Sequence, residues 1–276
     1  MTKRASARAG SKSPRRGAAK PDPAAVERVM TTLDTRVEAY DLPVVEKIAE
    51  ERRADPFHVL VSTMLSARTQ DATTDAAARR LFARARTPRS MGRLAIRDIE
   101  QLVYPVSFYR HKARHVKETC RLLEQRFGGR VPATMEELLT LPGVGRKTAN
   151  LVMIVAHRSP DNICVDTHVH RIANRLGWVK TRAPEETEQA LYRAIDRRWW
   201  SRINLYLVTW GQRVCRPVGP KCPACAIRDL CPQIGEAGLV GGTEVRANQA
   251  GTIEAVQGKR IGVGGEPRAN SDLREH

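Results

Sequence analysis

Thr134-Met135-Glu136-Glu137-Leu138-Leu139-Thr140, Leu141-Pro142-Gly143-Val144-Gly145 and Arg146-Lys147-Thr148-Ala149-Asn150, with an apolar run on to His157, form the stretch that decides the fold. It reads as a short helix, a tight turn and a second helix. Glycines at both ends of the turn permit positive φ and the close approach of another backbone. The turn feeds a helix N-terminus, whose first amides have no partner inside the helix. Such amides suit a phosphate oxygen. An ordinary αα-hairpin with a glycine turn has the same local geometry.

The turn itself is more particular than that. Leu141 through Gly145 match the helix–hairpin–helix DNA-binding motif at every position, which makes Leu141, Gly143, Val144 and Gly145 candidate DNA-binding residues. Lys147 falls in the first turn of the second helix. The amide dipoles there, with Arg146 adjacent, disfavour its ammonium form, and a neutral amine is a nucleophile that forms imines. A solvated helical lysine is the plainer reading of position alone. Asp166, in Val165-Asp166-Thr167-His168, precedes a helix that stops at Gly177. It reads as an N-cap, and a carboxylate so fixed can also stabilise developing positive charge or accept a proton.

Outward from this stretch the periodicity is helical. Phe108, Ala113, Val116, Cys120, Leu123 and Phe127 form a partly regular stripe; from Ala113 onward the steps are three, four, three and four, which puts them on one face of a helix that stops at Gly128 and Gly129. Further helices are expected over 24–40, 56–67, 71–85, 134–140, 146–157, 167–176, 184–198 and 201–213. No alternating strand pattern competes with them, so the fold class is all-α. The net charge of +17 favours a polyanionic partner, nucleic acid before acidic membrane. No apolar run is long enough to span a bilayer. Residues 1–23 read as a basic tail, either a DNA-binding arm or an organelle-targeting segment, and 235–276 as a Gly-rich flexible tail.

Four of the six cysteines fall in the run Cys215-x6-Cys222-x2-Cys225-x5-Cys231. Clustering of this kind points to a metal site in a reducing compartment rather than to a disulfide framework. Structural zinc commonly uses two separated close pairs, whereas one close pair flanked by wider intervals suits an iron–sulfur cubane. Zinc stays open as the alternative.

Taken together, the hairpin with Lys147, the Val165–His168 segment and the cysteine spacing resemble the endonuclease III family of DNA glycosylases over roughly Ala24 to Pro232. The resemblance implies two helical lobes with a cleft between them: a six-helix lobe over 46–158, and a cluster lobe made of 24–45 and 159–234. It implies a [4Fe-4S] cluster on Cys215, Cys222, Cys225 and Cys231. It also implies a monomer, without membrane association, acting on double-stranded DNA with damaged bases or abasic sites, in a bacterial cytoplasm or nucleoid, or in an organelle or nucleus if the basic tail is a targeting segment. A damaged pyrimidine would be flipped out, Lys147 would attack the sugar, Asp166 would assist, and β-elimination would nick the strand. His168 and Asp71 would lie near the DNA or the active site. Phe108 would be the wedge, unless it is a buried first residue of its helix. Arg68 stands where a glutamine is common, and Phe108 where leucine is common. An adenine-type mismatch glycosylase and a non-catalytic helix–hairpin–helix protein are the rival readings. The first lacks support because Ser62-Thr63-Met64 holds no glutamate, and the second because Lys147 and Asp166 occur together.

Overall fold

The computed structural model describes residues 20–234. Among the described residues there are twelve α-helices, three short 3-10 turns and no strand, so the all-α expectation holds. The expectations for residues 1–19 and 235–276 lie outside the described residues. The helix α1 (Pro23–Val37) starts inside the segment read as a tail, because Asp22 caps it by accepting from the Ala24 amide at 3.0 Å and Pro23 presets its first turn.

Two hydrophobic cores organise the chain. The first is built by α2 (Val44–Glu51), α3 (Pro56–Ser66), α4 (Asp71–Arg84), α5 (Pro88–Gly92), α6 (Ile96–Val103), α7 (Tyr109–Phe127), α8 (Met135–Leu138) and α9 (Arg146–Val155). Its centre is α3, buried from Phe57 through Leu65 on every side, as an all-round apolar helix must be. Asp55 caps α3 through the His58 amide at 3.0 Å. On α7 the stripe residues Ala113, Val116, Cys120 and Leu123 are wholly buried, as their spacing requires, while Phe127 at the end is partly buried against the same core. Gly128 ends that helix at φ 59°. Phe108 departs from its stripe: it is 60% exposed at φ 57°, and α7 begins one residue later.

The second core joins α1 to α10 (Thr167–Arg175), α11 (Pro184–Ala194), α12 (Trp200–Arg213) and Ile227 of the cysteine loop. The helix expected over 184–198 breaks at Ile195; Asp196 then caps a 3-10 turn at Arg197–Trp199 that leads into α12. Between the cores runs the segment 163–165. Ile163 and Val165 belong to the second core while Cys164 between them belongs to the first, the alternation of an extended chain. Asn204 fixes this segment by donating to the Cys164 carbonyl at 3.0 Å.

Candidate active site

The hairpin turn lies between α8 and α9. Gly143 has φ 75°, and a Cβ there would also fall 2.7 Å from the His115 ring. Gly145 does not share this demand. Its φ of −94° suits any residue, and a Cβ added there meets nothing within 4 Å. The expectation that both glycines serve positive φ therefore holds for Gly143 alone. Leu141 and Val144 bury their side chains in the first core, which leaves backbone groups to the surface. No side chain caps α9, so its leading amides stay open.

Lys147 is the second residue of α9 and is half-buried. Among the described residues, its amine has no hydrogen-bond acceptor and no ion-pair partner. Its backbone carbonyl accepts from Cys164 Sγ at 3.5 Å, which ties α9 to the segment entering Asp166. Asp166 caps α10: Oδ1 accepts from the His168 and Val169 amides at 2.8 and 3.0 Å, and among the described residues Oδ2 takes no hydrogen bond. The charges of Lys147 and Asp166 act on the same three side chains, Glu46, Cys164 and His168. The lysine and the carboxylate therefore share one neighbourhood.

Glu46, in the first turn of α2, is a member of that neighbourhood that the sequence did not single out. Burial pushes its carboxyl up to about 7, its own backbone amide and Lys147 pull it down, and Asp71 and Asp166 push it further up. His168 packs its ring against Gly211, where a Cβ would come within 2.4 Å of Nδ1. Burial lowers the His168 pKa, and Asp166 opposes that shift.

Other predicted residues take more structural parts. One oxygen of Asp71 accepts from the Val44 amide and from Gln212 Nε2, both at 3.2 Å, which joins α2, α4 and α12. Arg146 turns away from Lys147 to make a two-pronged bridge to buried Glu188 on α11, at 3.2 and 2.5 Å. Arg68 and Phe108 come together at the surface, both exposed and both at positive φ.

The four clustered cysteines are unpaired and half-buried; Cys225 feels the charge of Cys215 and Cys222, and Cys231 that of Cys215, Cys225 and Cys222. Among the described residues, no three His, Cys, Asp or Glu side chains converge to hold a single metal ion. The sulfurs are met by N–H donors: Arg175 Nη1 lies 3.3 Å from Cys215 Sγ, and the Gln233 amide 3.4 Å from Cys231 Sγ. Donors aimed at sulfur fit thiolate ligands of a cluster.

Residues 61–197 match the family model described as HhH-GPD superfamily base excision DNA repair protein. Endonuclease III of Thermotoga maritima is 45% identical over 197 residues, covering 68% of this chain and 92% of that protein. The chain belongs to the endonuclease III family. Endonuclease III-like protein 1 of Gallus gallus is 48% identical over 178 residues, 64% of this chain and 63% of its own length. Among solved structures, a non-covalent endonuclease III–DNA complex superposes with a TM-score of 0.69 at 31% identity, covering 77% of this chain and 96% of that one. A trapped endonuclease III–DNA covalent intermediate does so with a TM-score of 0.61 at 34% identity, covering 69% and 93%. As an endonuclease III family member, the chain is a base-excision repair enzyme, a DNA glycosylase with lyase activity. The adenine-type and non-catalytic readings fall away. No helix among the described residues is long and apolar enough to cross a membrane.

Proposed function

We propose that Lys147 is the nucleophile and that oxidised pyrimidines in double-stranded DNA are the substrates. The observation that carries this reading is that the unengaged Lys147 amine and the Asp166 carboxylate, whose second oxygen takes no hydrogen bond among the described residues, act on the same three side chains, Glu46, Cys164 and His168. The amine attacks C1′ of the flipped nucleotide, the C1′–N bond breaks, and the base leaves with the electron pair and takes up a proton. Loss of a proton from nitrogen and ring opening give the Schiff base. Removal of a C2′ proton then expels the 3′-phosphate and nicks the strand. Asp166 steadies the positive charge on the sugar and exchanges protons with it. The open amides of α9 and the backbone at Gly143 and Gly145 receive a phosphate of the damaged strand. His168 lines the same site, and Asp71 holds it together from behind. Arg68 and Phe108 enter the duplex where the base departs.

Cys215, Cys222, Cys225 and Cys231 would hold a [4Fe-4S] cluster in this reading. Bound there, such a cluster would tie the 215–231 loop together at the C-terminal end of α10, and Arg216, Lys221 and Arg228 on that loop would meet the DNA backbone.

Borohydride trapping on duplex containing thymine glycol tests the nucleophile. A covalent adduct is expected, and it is expected to vanish in Lys147→Gln. An adduct of undiminished yield in that variant removes Lys147 from the mechanism.

A further inference from the structure

Lys112 is a buried cation that the chemistry just described does not use. It lies in the first turn of α7 and is 8% exposed. Its ammonium spends all three N–H donors on a segment more than forty residues earlier: the Leu65 carbonyl at 2.7 Å, the Ala67 carbonyl at 2.6 Å and Thr69 Oγ1 at 3.2 Å. The two carbonyls sit at the C-terminus of α3, where a cation also meets the negative end of the helix dipole.

These bonds bracket Arg68, which stands between Ala67 and Thr69 at φ 55°. The same hydroxyl of Thr69 accepts from the Ser107 amide at 3.2 Å, one residue before Phe108. The Lys112 amide in turn donates to the Phe108 carbonyl at 3.0 Å. Both tips are therefore fastened to one side chain and its hydroxyl partner. Each tip holds a non-glycine residue in the left-handed region, a conformation that needs surrounding contacts to persist. Held this way, the Arg68 guanidinium lies 6.0 Å from the centre of the Phe108 ring.

We propose that Lys112 is a positioning residue for base extrusion: it locks the Arg68 loop and the Phe108 loop into one rigid wedge that enters the duplex as a unit. The inference rests on the assignment of Arg68 and Phe108 to that duty. It separates extrusion of a stacked base, which needs the wedge, from chemistry at a site already lacking a base, which has little stacking to overcome.

The test uses the full chain and compares two reactions. Lys112→Met keeps the apolar stem and removes the donors; Thr69→Val removes only the hydroxyl that joins the loops. Single-turnover release of thymine glycol from duplex is expected to fall about tenfold or more in Lys112→Met and several-fold in Thr69→Val, as loss of hydrogen bonds to a charged group implies. Fluorescence of 2-aminopurine beside the lesion is expected to report less unstacking in both. Borohydride trapping on a preformed abasic site is expected to stay within about twofold of the parent once normalised to folded protein. Loss of both reactions in parallel, or of neither, overturns the proposal. If Lys112→Met does not fold, Thr69→Val decides the matter alone by the same comparison. A parent protein that forms no trapped adduct would instead sink the Lys147 assignment and leave the wedge measurement to stand on its own fluorescence.

Discussion

The Arg146 guanidinium grips the Glu188 carboxylate with two bonds, at 3.2 and 2.5 Å, and the carboxylate is only 3% exposed. This joins α9, which carries Lys147, to α11 in the other core. Arg146→Met leaves a buried charge without its partner and is expected to cost about 2 kcal/mol, below the full penalty because the arginine is half-exposed. Urea unfolding measures it. A further Glu188→Gln change is expected to recover part of the loss, and no recovery would mean the pair is not the source.

Capping and chemistry separate at Asp166. Asparagine caps a helix about as well as aspartate, so Asp166→Asn is expected to change stability by less than about 1 kcal/mol. Base release is expected to fall by roughly 10²-fold or more, because a neutral amide neither accepts a proton nor balances sugar charge. Thermal unfolding and single-turnover cleavage read the two effects, and a rate loss matched by lost folding counts against the catalytic role.

The two hairpin glycines answer differently to alanine. Gly143→Ala meets both the left-handed backbone and the His115 ring, and is expected to lose about 1–2 kcal/mol from the backbone alone. Gly145→Ala has room in the free protein and is expected to fold within about 0.5 kcal/mol of the parent, as surface changes usually do. Its affinity for duplex, followed by fluorescence anisotropy, is expected to weaken. Unchanged affinity would show that no strand approaches that Cα.

Glu46 gives the stability a pH signature. Its carboxyl is raised from 4.5 to about 7, so the folded state keeps this proton to higher pH than the unfolded chain. Between those values folding holds the extra proton, and stability is lost as pH rises toward and through 7. Glu46→Gln is expected to be stabilising by about 1–2 kcal/mol at pH 8 and to make little difference at pH 4. Chemical denaturation at the two pH values checks the sign, and an equal effect at both contradicts it.

For the cysteine loop, protein purified without air is expected to be brown and to carry about four irons per chain. Colourless protein with stoichiometric zinc would overturn the cluster. Cys225→Ser is expected to lower iron content and to loosen the 215–231 segment in hydrogen exchange, while α3 and α7 in the other core keep their protection.

Much of this was legible because it is local. The hairpin, the buried stripe of α7, the Asp166 cap and the cysteine spacing are each written within a few consecutive residues. What the sequence hid is what depends on distant partners. The helices α2, α5 and α6 are not among the expected ones, although Ile96, Ile99 and Val103 of α6 and Val44, Val45, Ile48 and Ala49 of α2 do recur at helical spacing over only two turns; α2 carries Glu46, whose burial comes from neighbours on other helices. Lys112 had a signal that could have been read: it lies four residues before Val116 and therefore on the apolar face. Its destination, carbonyls at the end of α3, had none. Phe108 left its own stripe because the chain turns left-handed there, a choice made by the Lys112 and Thr69 contacts and not by phenylalanine.

The alternation at 163–165 has an operational meaning. The amine at 147 is rooted in one oily interior and the carboxylate at 166 in the other, so their separation is a gauge of how the halves sit together. A perturbation that slides one half by an ångström mistunes the reaction while every helix stays intact. Weak denaturant should therefore silence the enzyme before circular dichroism registers any change.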